Sequence, residues 1–211
     1  MGRDELLAEV TQRCAENRLV TLVGPGGIGK TSIAVNVAVG LSTGHSDGGW
    51  FVDLSQITDG KLVASTVGTA LGLRAGEDVA SADAVIALLA DADLLLVIDN
   101  CEHVVVDAAD LIEQILRTCP RVRVLATSRE RLALPDEVAI VLPTLQSDDA
   151  VALLTRRARR GGATTTGEAA DEVALCVAVD HLPLGIELVA ARLQSMSARD
   201  ILDQLGAKGV L

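Results

Sequence analysis

Short, predominantly apolar runs punctuate the first two thirds of the chain. Leu19 to Val23, Trp50 to Leu54, Leu94 to Ile98 and Val122 to Ala126 are such runs, and Val138 to Leu142 is a fifth candidate. A strand covered on both faces reads this way, because neither side of its pleat meets water. Between the runs lie amphipathic stretches. From Val104 to Leu116 the apolar positions Val104, Ala108, Leu111, Ile112, Ile115 and Leu116 keep a helical period, and Pro120 stops the helix just beyond its end. Repeated strand–helix alternation predicts right-handed crossovers and a sheet covered by helices.

The strand signal ends near Gln146. Asp148 to Arg160, Glu168 to Val179, Leu184 to Leu193 and Ala198 to Leu205 all read as helices, punctuated by Gly161-Gly162 and Pro183, with Ser197 placed to cap the last. The predicted fold is α/β, with a mainly parallel five-stranded sheet flanked by helices, then a small helical subdomain. The expected domains are 1–145 and 146–211.

Composition sharpens this picture. Of 211 residues, 49% are hydrophobic but only 1% aromatic, so the core must be aliphatic and stacking platforms for single-stranded nucleic acid are lacking. The formal net charge of -11 leaves no basic footprint for a duplex. The one local cluster, Arg156, Arg157, Arg159 and Arg160, reads as a solvated helix face. No direct nucleic-acid binding by this stretch is expected. Cys14, Cys101, Cys119 and Cys176 form no C-x-x-C pair and read as free buried thiols. With no signal-peptide pattern and no apolar run of membrane-spanning length, the chain is expected to be soluble and cytoplasmic.

The strongest chemical signal is Gly24-Pro25-Gly26-Gly27-Ile28-Gly29-Lys30-Thr31, with Ser32 following. It matches G-x-x-x-x-G-K-[ST], the P-loop, with an apolar run before it and a helical stretch after it. Glycines let the backbone turn tightly and aim successive N–H groups at phosphate oxygens. The following helix adds its positive N-terminal end. Lys30 is placed to reach the β- and γ-phosphates, and the Thr31 hydroxyl to ligate Mg²⁺. ATP or ADP with Mg²⁺ is the expected ligand.

The run Leu94 to Ile98 ends in Asp99-Asn100. A carboxylate at the C-terminal end of a buried strand lies where such sheets bind ligands, so Asp99 is the second expected Mg²⁺ partner. The alternative is a helix N-cap. Many ATPases of this layout carry a second acid directly after the first, but Asn100 is a poor base. The nearest carboxylate, Glu102, is therefore a candidate base; its alternative is a first-turn glutamate favoured by the helix dipole.

These residues resemble the nucleotide-binding region of signal-transduction ATPases with numerous domains, and most of all the NB-ARC-like modules of bacterial transcriptional regulators. The resemblance rests on Gly2-Arg3-Asp4-Glu5, the P-loop, the LLLVIDNCEH strand end, Thr127-Ser128-Arg129 and His181-Leu182-Pro183-Leu184. It covers nearly the whole chain. It implies that Arg129 senses the γ-phosphate, that Pro183 packs near the adenine, and that Arg3 belongs to the adenine-side loop. The family has glycine where this chain has His181. The resemblance also implies parts beyond this stretch, making it an expected fragment: a winged helix, sensor repeats, a DNA-binding domain and a nucleotide-dependent oligomer of the full-length protein.

Three functions are compatible with these motifs. The first is a slowly hydrolysing regulatory switch, with Lys30, Asp99, Glu102 and Arg129 as its working residues. The second is a nucleotide-binding module without turnover. The third is a P-loop small-molecule kinase, for which the arginines near Gly161-Gly162 are a weak lid candidate.

Overall fold

The computed structural model describes residues 3–73, 81–162 and 168–207. Gly2 of the opening motif lies outside the described residues. The chain divides into two compact units. One comprises Glu5–Pro25 and Lys30–Leu142; the other comprises Met1–Asp4, Gly26–Gly29 and Pro143–Leu211.

The first unit is built on α1 (Asp4–Glu16), β1 (Leu19–Val23), α2 (Lys30–Leu41), β2 (Gly49–Asp53), α3 (Val63–Ala70), α4 (Ala82–Leu89), β3 (Leu95–Asp99), α5 (Val105–Thr118), β4 (Arg123–Ser128) and β5 (Val138–Val141). The strands form one sheet in the order β2-β3-β4-β1-β5, and every pairing is parallel. Strands β1 and β3 are internal and buried along their whole length, in keeping with their predominantly apolar sequences.

The expectation of a buried strand fails at β2. It is an edge strand, where only Val52 is buried, and Trp50 and Phe51 are exposed. A continuous apolar run does not separate an internal strand from an edge strand, because that difference lies in the order of pairing. The helical stripe read from Val104 to Leu116 appears in α5, where Ala108, Leu111, Ile112 and Ile115 are buried. They join Val52, Leu96, Ile98 and Val124 in an aliphatic core. Helices α1, α3 and α4 were not delineated by the pattern. Helix α4 has a clear start, with Ser81 Oγ accepting from the Ala84 N–H at 3.3 Å.

The second unit holds α6 (Ser147–Arg160), α7 (Ala169–Val177), α8 (Pro183–Arg192) and α9 (Ala198–Ala207). Leu154, Leu175, Ile186, Val189 and Ile201 meet in its core. Helix α7 stops short of the expected Val179. Asp180 and His181 each take a φ of 53°, the left-handed conformation that ends helices. Pro183 then opens α8 at a position where a missing N–H costs nothing. Ser197 and Asp200 cap α9 reciprocally: Ser197 Oγ accepts from the Asp200 N–H at 3.2 Å, and Asp200 Oδ2 accepts from the Ser197 N–H at 3.3 Å. The arginines of α6 lie in and near its last turn, where cations suit the helix dipole, and Arg157 pairs with Glu187 at 2.7 Å.

All four cysteines are free and buried. Burial pushes the thiols of Cys14 and Cys101 up to about 12 from an ordinary 9.0. A raised folded-state pKa means the stability held below the unfolded pKa is lost as pH rises toward the folded one. Urea midpoints should therefore fall between about pH 9 and about pH 12, and less steeply in Cys101→Ala. Iodoacetamide should label these thiols only after unfolding.

Candidate functional site

Strand β1 delivers the chain into the glycine loop, and the Gly24 N–H donates to the Ser128 carbonyl of β4 at 3.3 Å. Two loop positions need glycine for their backbone: Gly27 at φ 77° and Gly29 at φ 96°. Inside the second unit both are also crowded. A Cβ on Gly27 would lie 2.8 Å from Leu184 Cβ, and one on Gly29 would lie 3.1 Å from Arg3 Nη1. The Leu184 N–H donates to the Gly27 carbonyl at 3.1 Å, and Arg3 Nη2 donates to the Pro143 carbonyl at 3.2 Å. Burial lowers the Arg3 pKa.

Lys30 is the first residue of α2 and only 6% exposed. Its Nζ donates to the carbonyls of Gly24 at 2.8 Å and Pro25 at 3.2 Å. Burial lowers its pKa, opposed by the negative charges of Glu102 and Asp99 and assisted by Arg129. An ammonium held inside a loop whose backbone also presents a helix N-terminus is a place for an anion. The loop residue Ile28 is buried, and Ser32 is an exposed residue of the first turn whose carbonyl accepts from Asn36 Nδ2 at 2.6 Å.

Asp99 ends β3 and is 2% exposed. Thr31 Oγ1 donates its proton to both carboxylate oxygens, at 2.9 and 2.8 Å. Thr127 Oγ1 of β4, the strand between β3 and β1, donates to Asp99 Oδ1 at 2.5 Å. Asn100 Nδ2 donates to Asp99 Oδ2 at 3.0 Å, and the Asn100 N–H donates to Thr127 Oγ1 at 3.0 Å. With its one proton directed at Asp99, Thr31 keeps its oxygen lone pairs available to a hard cation. Among the described residues no group of three or more His, Cys, Asp or Glu side chains forms a metal cage. A cation here would draw ligands from a phosphate and water, which is how Mg²⁺ is usually held.

Glu102 lies in the single turn Cys101–His103 that follows. Its side chain is 9% exposed and accepts from Arg129 Nε at 3.3 Å, while Arg129 itself is 62% exposed. The Glu102 Oε2 atom is buried with no partner. The first unit thus brings together Lys30, Thr31, Asp99, Glu102 and Arg129. Arg3, Gly26–Gly29 and Pro183 belong to the second.

Sequence reasoning missed two residues. Thr127 entered only as part of a motif, yet its hydroxyl ties Asp99 to the Asn100 backbone. Asp53 was hidden inside an apolar run. It ends β2 in register with Asp99 and accepts from Asn100 Nδ2 at 3.0 Å. Burial raises its pKa, but the Ser55 N–H, the Asn100 amide and the Ser55 hydroxyl outweigh that and hold it below the ordinary carboxylate value. The available signal was an aspartate at the C-terminal side of both runs, Asp53 one residue before the end of the first and Asp99 directly after the second.

Comparison with known proteins gives a consistent family. The NB-ARC domain model matches residues 3–162. An uncharacterised Mycobacterium tuberculosis protein is 35% identical over 96% of this chain and 52% of its own length. A second M. tuberculosis protein, named as an HTH-type transcriptional regulator, is 38% identical over 90% of this chain and 22% of its own. The chain therefore spans about half, or less, of the curated relatives it matches. Among solved structures, a Walker-type ATPase of Pyrococcus abyssi superposes with a TM-score of 0.72 at 12% identity, covering 98% of this chain and 72% of that one. A STAND protein with a tetratricopeptide repeat sensor from Pyrococcus horikoshii gives 0.63 at 15% identity, covering 100% and 33%. These two share the fold. No helix among the described residues is long and apolar enough to cross a membrane.

Replacing Thr127 by valine keeps the shape but removes one donor from Asp99 Oδ1, which keeps Thr31, and strands the Asn100 N–H. An orphaned buried group costs about 1–3 kcal/mol. Urea unfolding of ligand-free Thr127→Val should show a loss of that size.

Proposed function

The chain belongs to the NB-ARC domain family, and from that premise we propose that it is a nucleotide-driven switch ATPase module of a larger regulator. The observation that carries the reading is the buried Lys30 ammonium, held by the carbonyls of Gly24 and Pro25 at the start of α2. In this reading residues 1–145 form the nucleotide-binding domain and residues 146–211 a helical subdomain.

The ligand is ATP or ADP. Its phosphates lie on the loop Gly24–Thr31 and Ser32, with Lys30 supplying charge. Thr31 and Asp99 hold Mg²⁺, which when bound offsets phosphate charge. Arg129 reads the γ-phosphate through its forked N–H groups, for which its exposure leaves it free to move. Arg3 and Pro183 serve the adenine side. Glu102 is the base: one oxygen is held by Arg129, and the unpartnered Oε2 takes the proton of the attacking water.

Turnover is slow, below the median of about 10 s⁻¹ for enzymes, because the residue after Asp99 is an amide. The parent protein is cytoplasmic. It carries the winged helix, sensor repeats and DNA-binding domain, and oligomerises with nucleotide state. A second reading, nucleotide binding without turnover, is favoured by one observation: both Asn100 amide contacts go to carboxylates, so the position holds structure rather than water.

Lys30→Ala removes a charge-assisted contact worth about 1.5–3 kcal/mol, so calorimetry should show ATP affinity reduced roughly tenfold to a hundredfold. Unchanged affinity would overturn the phosphate assignment. Arg129→Ala should weaken ATP more than ADP; equal weakening would leave Arg129 an exposed loop arginine with no part in reading the γ-phosphate. General-base help is worth about 10²–10⁴ in rate, so Glu102→Gln should cut turnover while preserving the nucleotide-induced rise in melting temperature. A parent chain with no measurable turnover would favour the second reading.

A further inference from the structure

Asn100 occupies a place where many ATPases of this layout have an acid, and it does so in a left-handed backbone conformation, φ 63°. Asparagine tolerates that region better than most residues. The backbone turn aims the side-chain amide back between two strand ends. Its Nδ2 donates to Asp99 Oδ2 on one side and to Asp53 Oδ1 on the other, both at 3.0 Å. Strands β2 and β3 are in register here, Asp53 beside Asp99, and the amide bridges the two carboxylates.

Each carboxylate has further support, but of different kinds. Asp53 is fixed from its own loop: Ser55 N–H donates to Oδ1 at 2.8 Å and Ser55 Oγ to Oδ2 at 2.9 Å. Asp99 is fixed by Thr127 at Oδ1 alone, and by Thr31, whose single proton is shared between both oxygens. The rotation of the Asp99 carboxyl about its own axis is thus set at two points, Thr127 on Oδ1 and Asn100 on Oδ2. The Asn100 amide in turn has Asp53 as its other acceptor.

We propose that Asp53 and Asn100 are a positioning pair: Asp53 anchors the Asn100 amide, and the amide fixes the orientation in which Asp99 faces a bound cation. The proposal rests on the reading of Asp99 as the cation-side carboxylate. It gives position 100 a reason to be an amide. An acid there would supply no donor and would place a third negative charge between two others. In this arrangement both act through Asp99, which the Asn100 amide contacts directly. Partners one step removed from a metal ligand are worth about 10- to 100-fold in metal affinity.

The full chain is used for the test. In the nucleotide-free protein, the Asn100 side-chain amide is followed by NMR in the parent, Asp53→Ala and Asp53→Asn. Asp53→Ala should shift both amide protons and speed their exchange; Asp53→Asn, whose side-chain oxygen still accepts, should return them toward the parent values. Apparent Mg²⁺ affinity is then read from the Mg²⁺ dependence of the ATP-induced melting shift. It should fall about 10- to 100-fold in Asp53→Ala and in Asn100→Ala, with metal-free ADP affinity unchanged. The double variant should be no worse than the weaker single, since the two act as one unit. Asn100→Asp should also weaken Mg²⁺. An amide signal indifferent to Asp53→Ala, additive losses in the double variant, or tighter Mg²⁺ in Asn100→Asp would each overturn the pair. A parent chain with no Mg²⁺-dependent response to ATP overturns the functional reading instead. The amide signal, which needs neither metal nor nucleotide, tells the two failures apart.

Discussion

A carboxylate at the end of an internal strand has neighbours on both sides and almost no water. Asp99 is in that position, and burying a charge without partners costs several kcal/mol. Its surroundings are arranged as a response: hydroxyls from α2 and β4, and an amide from the residue that follows it. Those donors come from three separate stretches of sequence. Meeting the demand of one side chain therefore fixes where the start of α2, the end of β4 and the turn after β3 must lie. Lys30 is the cationic counterpart. Its ammonium is buried among backbone carbonyls, and nearby carboxylates partly offset the burial that lowers its pKa.

Backbone conformation sets a second constraint. Left-handed residues appear at Gly27, Gly29, Asn100 and His181, each in a connection between elements where the chain must turn. At two of these the residue is glycine. At Asn100 the side chain has been kept because it has hydrogen bonds to make. At His181 the φ of 53° is a conformation that glycine adopts freely, and histidine meets it at some strain.

Much of this was readable from the sequence, for reasons that differ by element. Strands β1 and β3 were legible because burial on both faces writes a predominantly apolar run. Helix α5 was legible because its stripe keeps period through four buried positions. Helix α3 was not, since Val63–Ala70 is short and its serine and threonines blur the stripe. In the site, the loop from Gly24 to Thr31 is local in sequence and could be read directly. The contacts of Thr127 and Asp53 could not. Both arise from strand order and register, which place Thr127 between the P-loop strand and Asp99, and Asp53 beside Asp99. Such neighbours are long-range facts, invisible to any window along the chain.

The sheet order has a consequence for how the molecule comes into being. No strand pairs with its successor through a hairpin. Leu19 waits for Val124, and Val20 for Val138, before β1 has a partner on either side. Closing loops of this length must precede the contacts that reward it, which makes such topologies slow to assemble. During synthesis the glycine loop would hang from an unpaired apolar strand until β4 and β5 had emerged. The segment that reads most plainly in the sequence thus acquires its structure only after β4 has been made, and β1 stays an exposed sticky strand until then.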